Sequence, residues 1–162
     1  MENNDILIRL RYALDIKNTD MVEIFKLGGV DLTKEEVLKV LTKSNDEEEN
    51  EDNNSKLNNI KLESFLNGFI TFKRGKQDPK PGQPERPPLS HESINNILLK
   101  KLKIALSLTS EDMIDLLKLA GVTITKGELS AILRKEGHKN YKECGDKYAR
   151  NFLKGLTIKY RG

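Results

Sequence analysis

Residues 3–43 lie on residues 95–135 at a constant offset of 92 without a gap, and 17 of the 41 aligned positions are identical. Chance matching at average composition gives roughly 6%, so the chain carries an internal duplication. Whatever the first copy folds into, the second must fold into as well. Positions kept in both copies answer to the fold, whereas positions that differ are free to serve something else. A unit of about 75 residues buries only about 60% of its unfolded surface and is marginal alone. The two copies are therefore expected to pack on each other, each supplying the apolar surface the other lacks.

Within the repeat the apolar periodicity is helical. Ile6, Leu7, Leu10, Ala13 and Leu14 form a stripe that Leu98, Leu99, Leu102, Ala105 and Leu106 reproduce. A second helix is expected from the aligned caps Asn18 and Ser110, with Asp20 and Asp112 in its first turn, where an acid meets the positive helix end. Its apolar face is Met21, Val22, Ile24, Phe25 in one copy and Met113, Ile114, Leu116, Leu117 in the other, and Gly29 and Gly121 end it. The third helix opens on a capping box in both copies, Thr33 with Glu36 and Thr125 with Glu128, ahead of Val37, Val40, Leu41 and Leu129, Ile132, Leu133. A fourth helix realigns at an offset of 87, pairing Phe65-Leu66-Asn67-Gly68 with Phe152-Leu153-Lys154-Gly155 and Arg74-Gly75 with Arg161-Gly162. Gly68 and Gly155 sit where the apolar spacing continues, and a helix-interior glycine costs about 1 kcal/mol relative to alanine. Close approach of another backbone at these glycines would offset that cost.

These units predict an all-α protein of two tandem four-helix repeats related by an approximate twofold axis. The first repeat is expected over 1–75, with an acidic disordered loop at 44–55 that is Asn-rich and free of apolar residues. All five prolines fall between Pro79 and Pro88, marking a stiff linker over 76–90, and the second repeat follows over 91–162. No run approaches the roughly 18 apolar residues of a membrane span, and Met1-Glu2-Asn3-Asn4-Asp5 has no signal-peptide character. With one cysteine there is no internal disulfide framework, and a cytoplasmic protein without membrane contact is expected.

Charge is segmental. Residues 44–64 hold seven acids against two bases, residues 137–162 seven bases against two acids, and residues 65–88 five bases against two acids. The C-terminal part of each repeat is thus its positive part. There Phe72-Lys73-Arg74 and Lys159-Tyr160-Arg161 place bases beside aromatics, joined by Lys147, Arg150 and Lys154. Such residues suit phosphate attraction with occasional base stacking. A solvated basic helix face with its aromatics in the core is the plainer reading of the same pattern. A helix-turn-helix at the second and third helices fits poorly, because the connection from Gly28 to Leu32 is long and Glu35 on the outer face would repel phosphate.

The segment from His138 to Asp146 is the densest in reactive side chains, and the first copy has Leu57 and Asn59 where Cys144 and Asp146 stand. A thiolate at Cys144 would be favoured by Lys142, Lys147 and a following helix N-terminus, with His138 as its base. The plainer reading makes Cys144 a small buried apolar residue. One cysteine and two histidines, His91 and His138, leave no four-ligand metal set, so neither metal nor cofactor is expected. No phosphate-cradling glycine loop or paired catalytic carboxylates motivates an enzyme.

Asn3-Asn4-Asp5-Ile6-Leu7, the Asn95-Asn96 start of the second copy, Phe65-Leu66-Asn67-Gly68, Lys73-Arg74-Gly75-Lys76 and the run from His138 to Asp146 together resemble the YehS-like family of two-repeat bacterial proteins of unknown function. The resemblance spans nearly the whole chain. It implies a Cys and an Asp in the first repeat as well, from which Leu57 and Asn59 depart, and it brings no activity with it. The leading functional expectation is a non-enzymatic module that engages nucleic acid through Lys73, Arg74, Lys147, Arg150, Lys154, Lys159, Tyr160 and Arg161. The alternatives are a protein-interaction adaptor and a thiol-dependent enzyme or redox sensor at Cys144 and His138.

Overall fold

The structure, a computed structural model, describes residues 2–42, 57–75 and 92–161. The acidic segment 44–55 and the proline-rich segment 76–90 lie outside the described residues. Among those described there are eight helices and no strand: α1 (Asn3–Leu14), α2 (Asn18–Leu27), α3 (Lys34–Val40), α4 (Asn59–Arg74), α5 (Ile94–Ala105), α6 (Ser110–Leu119), α7 (Lys126–Leu133) and α8 (Asp146–Arg161). The protein is all-α, with four helices per repeat.

Local chemistry sets most of the helix boundaries. Thr33 and Glu36 bond each other's backbone N–H at 3.1 Å in both directions, and Thr125 and Glu128 do the same at 3.1 and 3.2 Å. The second helices begin differently from expectation. Ser110 is already helical, and its predecessor Thr109 is the cap, in a capping box with Asp112. In the first copy Lys17 holds that place without a side-chain bond, while Asn18 accepts a 2.9 Å hydrogen bond from Arg11 Nε. Both second helices end in left-handed glycines, Gly29 at φ 92° and Gly121 at φ 84°. The next N–H, of Val30 or Val122, bonds back to Phe25 O at 2.8 Å or Leu117 O at 2.9 Å, satisfying a carbonyl the helix leaves open.

Packing inside a repeat joins the second helix to the fourth, α2 on α4 and α6 on α8. Gly68 and Gly155 lie inside their helices, and a Cβ on either would overlap the carbonyl oxygen of Ile24 or Leu116 in the facing helix. Backbone approach is therefore what offsets the glycine cost, as the spacing suggested. The first copy adds Gly28, whose Cβ would overlap Ser64 O, where the second copy has Ala120. Phe25 meets Phe65 here with ring centroids 4.9 Å apart.

The first helix of each repeat turns to the other repeat: α1 lies along α8, and α5 along α4. This reciprocity is that of a two-repeat arrangement. It also means that the buried face of α1, Ile6, Leu7, Leu10 and Ala13, is closed largely by the second repeat. Leu14 and Leu106, the last members of the two stripes, are only partly buried against the core.

Candidate functional site

The two arginines that end the repeats have a structural task. The chain leaves α1 through Asp15 at φ 51° and leaves α5 through Ser107 at φ 53°, aligned residues in the left-handed conformation that short polar side chains tolerate. Arg161, ending α8, reaches Asp15 Oδ1 at 3.3 Å and lies 4.5 Å over the Tyr12 ring. Arg74, ending α4, donates to Ser107 Oγ at 2.9 Å and to Ile104 O at 3.3 Å. Arg74 thus caps the C-terminus of α5 through a carbonyl, while Arg161 holds the residue that ends α1 through its carboxylate, and both set a cation near a helix C-terminus of the opposite repeat, where it complements the dipole. The two arginines of the repeated basic ending are accounted for by the fold before any ligand is invoked.

The other expected basic residues divide. Lys73 is exposed beside the Phe69 ring, 5.8 Å from its centroid. Lys159 lines a pocket of about 460 Å³ with Asp112, Asp115, Leu116 and Lys118, so two carboxylates and a second ammonium of α6 share its surroundings. Tyr160 is exposed next to it. Lys147, Arg150 and Lys154 are exposed on α8. Lys147, Lys154 and Arg161 recur every seven residues and so share one face, a row of about 21 Å at 1.5 Å per residue. Their α4 counterparts are Ile60, Asn67 and Arg74, so the row belongs to the second repeat alone.

The seams between the repeats differ in charge for the same reason. Glu63 of α4 is buried, and together with Glu92 it favours the ammonium of Lys101 on α5, against a desolvation that lowers the Lys101 pKa overall. The equivalent positions in the α1–α8 seam hold Arg150 and Arg9, both exposed cations. Arg9, like Tyr12 on the next turn of α1, escaped the sequence reading; the signal was there, since Tyr12 aligns with Ile104. Beside these cations stand Asp15, paired with Arg161, and Asp146, whose charge is felt by Arg150.

Burial decides the chemistry of Cys144. The thiol is 2% exposed, and desolvation pushes its pKa up to about 12, overriding the lowering expected from Lys142, Lys147 and the helix end. Its nearest bond is to Gly145 O at 3.5 Å. His138 is exposed and accepts instead from Asn140 N at 3.0 Å, with Arg134 Nη1 at 3.4 Å. The two groups therefore do not form a base–nucleophile pair.

A pair of buried asparagines, Asn95 and Asn96, holds this segment. Asn96, fully buried, donates to Ile132 O at 3.0 Å and Lys142 O at 2.9 Å and accepts from Cys144 N at 2.8 Å. Asn95 donates to Cys144 O at 3.2 Å and Asp146 Oδ1 at 2.8 Å. The first copy repeats the device: Asn4 donates to Val40 O at 2.8 Å and accepts from Leu57 N at 3.0 Å, while Asn3 bonds Asn59 at 2.7 Å. The Asn-Asn start of each repeat fastens the backbone that leads into the fourth helix.

A family described as "Protein of unknown function (DUF1456)" matches residues 3–75 and 95–162, one segment per repeat. The chain belongs to this family. A relative, the "Uncharacterized protein YehS" of Escherichia coli (strain K12), is 41% identical over 160 residues, covering 98% of this chain and 96% of that protein. No solved structure matches the chain. Neither the DUF1456 description nor the relative's name states an activity. No described helix is long and apolar enough to cross a membrane.

Proposed function

We propose that the protein binds nucleic acid through the α1–α8 seam, with Lys147, Arg150, Lys154 and Arg9 as phosphate ligands and Arg161 at the end of the row. The observation that carries this reading is the exposed heptad-spaced row on α8, whose equivalents on α4 are not basic apart from the capping arginine. Arg74, Lys73 and Lys159 lie outside the row, the first as a helix cap and the last beside Asp112. Phosphate contacts need exposed cations on one face and no catalytic group, and each contact releases condensed counterions.

Fluorescence anisotropy of labelled DNA and RNA across a salt series tests the reading. With about four contacts, log affinity falls against log salt with a slope near −3.6 on duplex DNA or −2.8 on single strands. Lys147→Glu with Lys154→Glu reverses two charges on an exposed face and abolishes binding without changing the helical circular dichroism. No binding by the unaltered protein at about 50 mM salt, or equal binding by the charge-reversed variant, refutes the proposal. A protein partner retained at high salt on the same surface points instead to the adaptor.

A further inference from the structure

Tyr12 is more than half exposed, at 54%, yet it is not loose: the Arg161 guanidinium lies 4.5 Å from its ring centroid, and that guanidinium is itself held by Asp15 at 3.3 Å. The same place in the other seam is filled by Ile104, which is 47% exposed and lies beside Arg74. The fold therefore asks for an apolar side chain next to the capping arginine but not for an aromatic one. The ring occurs in the seam that carries the basic row, and because Arg161 belongs to that row, Tyr12 stands at the row's end.

We propose that the nucleic acid taken by this surface is single-stranded, its phosphates following Lys147 and Lys154 and one unpaired base stacked on Tyr12. This deepens the nucleic-acid reading and rests on it. A duplex keeps its bases stacked on one another and offers phosphate alone to such a surface, whereas an unpaired base presents a π-face to an accessible ring. Arg161 serves two ends here, fixing the plane of the ring from one side and closing the cationic row. Because every base has a π-face, the expected preference is for strandedness and not for sequence.

The test compares a labelled single strand of mixed sequence with a blunt-ended duplex of the same sequence, each about 20 nucleotides long, binding the full chain at low salt; the oligonucleotides are ample for a row of about 21 Å. Two variants separate the roles. Tyr12→Ile installs the residue that the other repeat carries at this position, so the fold tolerates it, and Tyr12→Phe keeps the ring. The expected result is tighter binding of the single strand, weakened roughly 5- to 150-fold by Tyr12→Ile, the range for one stacked base. Tyr12→Phe leaves it unchanged, and neither variant alters duplex binding. Equal affinity for both oligonucleotides, or single-strand binding indifferent to Tyr12→Ile, overturns this inference while the nucleic-acid reading survives. Binding to neither oligonucleotide overturns both.

Discussion

Replacing Asn96 by alanine removes a side chain that satisfies three backbone groups in a fully buried place. The N–H of Cys144 loses that bond in a residue that is itself buried, between the exposed Glu143 and Gly145. The carbonyls of Ile132 and Lys142 lose a donor each. A buried polar group left unpaired costs about 1–3 kcal/mol, and the carbonyls, with two lone pairs, suffer at the lower end of that range. Together about 3–5 kcal/mol is expected, a large share of the roughly 5–15 kcal/mol that stabilises a domain. At about 2–4 °C per kcal/mol for a chain of this size, Tm falls by roughly 6–20 °C. Thermal and urea unfolding followed by circular dichroism measure it directly. Asn4→Ala, which removes two such bonds from a part-buried site, falls by less. A Tm for Asn96→Ala within about 2 °C of the parent, under 1 kcal/mol for a domain of this size, shows that the asparagine clamp is not holding the segment.

Two further outcomes follow from the packing and the thiol. Because α1 is closed largely by α8 and α5 by α4, fragments 1–75 and 76–162 are each expected to lack a cooperative unfolding transition, and mixing them restores it; a cooperative transition in either fragment alone contradicts the exchanged packing. Cys144, with its pKa raised from 9.0 to about 12 by burial, should react with iodoacetamide slowly in the native state and rapidly in denaturant. Its sign follows from linkage: the neutral buried thiol adds stability that is full below about pH 9 and lost as pH rises toward about 12. Rapid native alkylation at pH 7.5, or an alkylation midpoint near the unburied value of 9.0, rules out the buried neutral thiol.

Features that depend on neighbours a few residues apart were legible in the chain. Helical stripes, the Thr33–Glu36 and Thr125–Glu128 boxes and the glycines at 29 and 121 all declare themselves within a turn or two, because backbone satisfaction at helix ends is local. The cap at Thr109 was misplaced by one residue because Ser110 is an equally good candidate by composition, and only the backbone angles distinguish them. The interior glycines at 68 and 155 were informative because they are costly where they stand, so a close backbone contact could be inferred without knowing which helix supplied it.

Among candidate site residues, sequence reasoning grouped every cation near a repeat end. It could not tell Arg74 and Arg161, which reach helix ends of the opposite repeat, from Lys147 and Lys154, which face outward, since both kinds look alike in a linear pattern. Nor could it see that Lys159 shares a pocket with Asp112, or that Asn96 bonds a segment 46 to 48 residues away.

The amino-acid order alone thus determined that this is a duplicated all-α chain, where its third helices begin and its second helices end, and which side chains are apolar enough to be inside. Only the tertiary structure decided that first helices pair with fourth helices of the opposite repeat, that Cys144 is sealed from solvent, and that one seam between the repeats is left basic. The physical reason is that an apolar stripe states how much surface must be hidden but not against which partner, whereas desolvation and charge are properties of the place a side chain finally occupies.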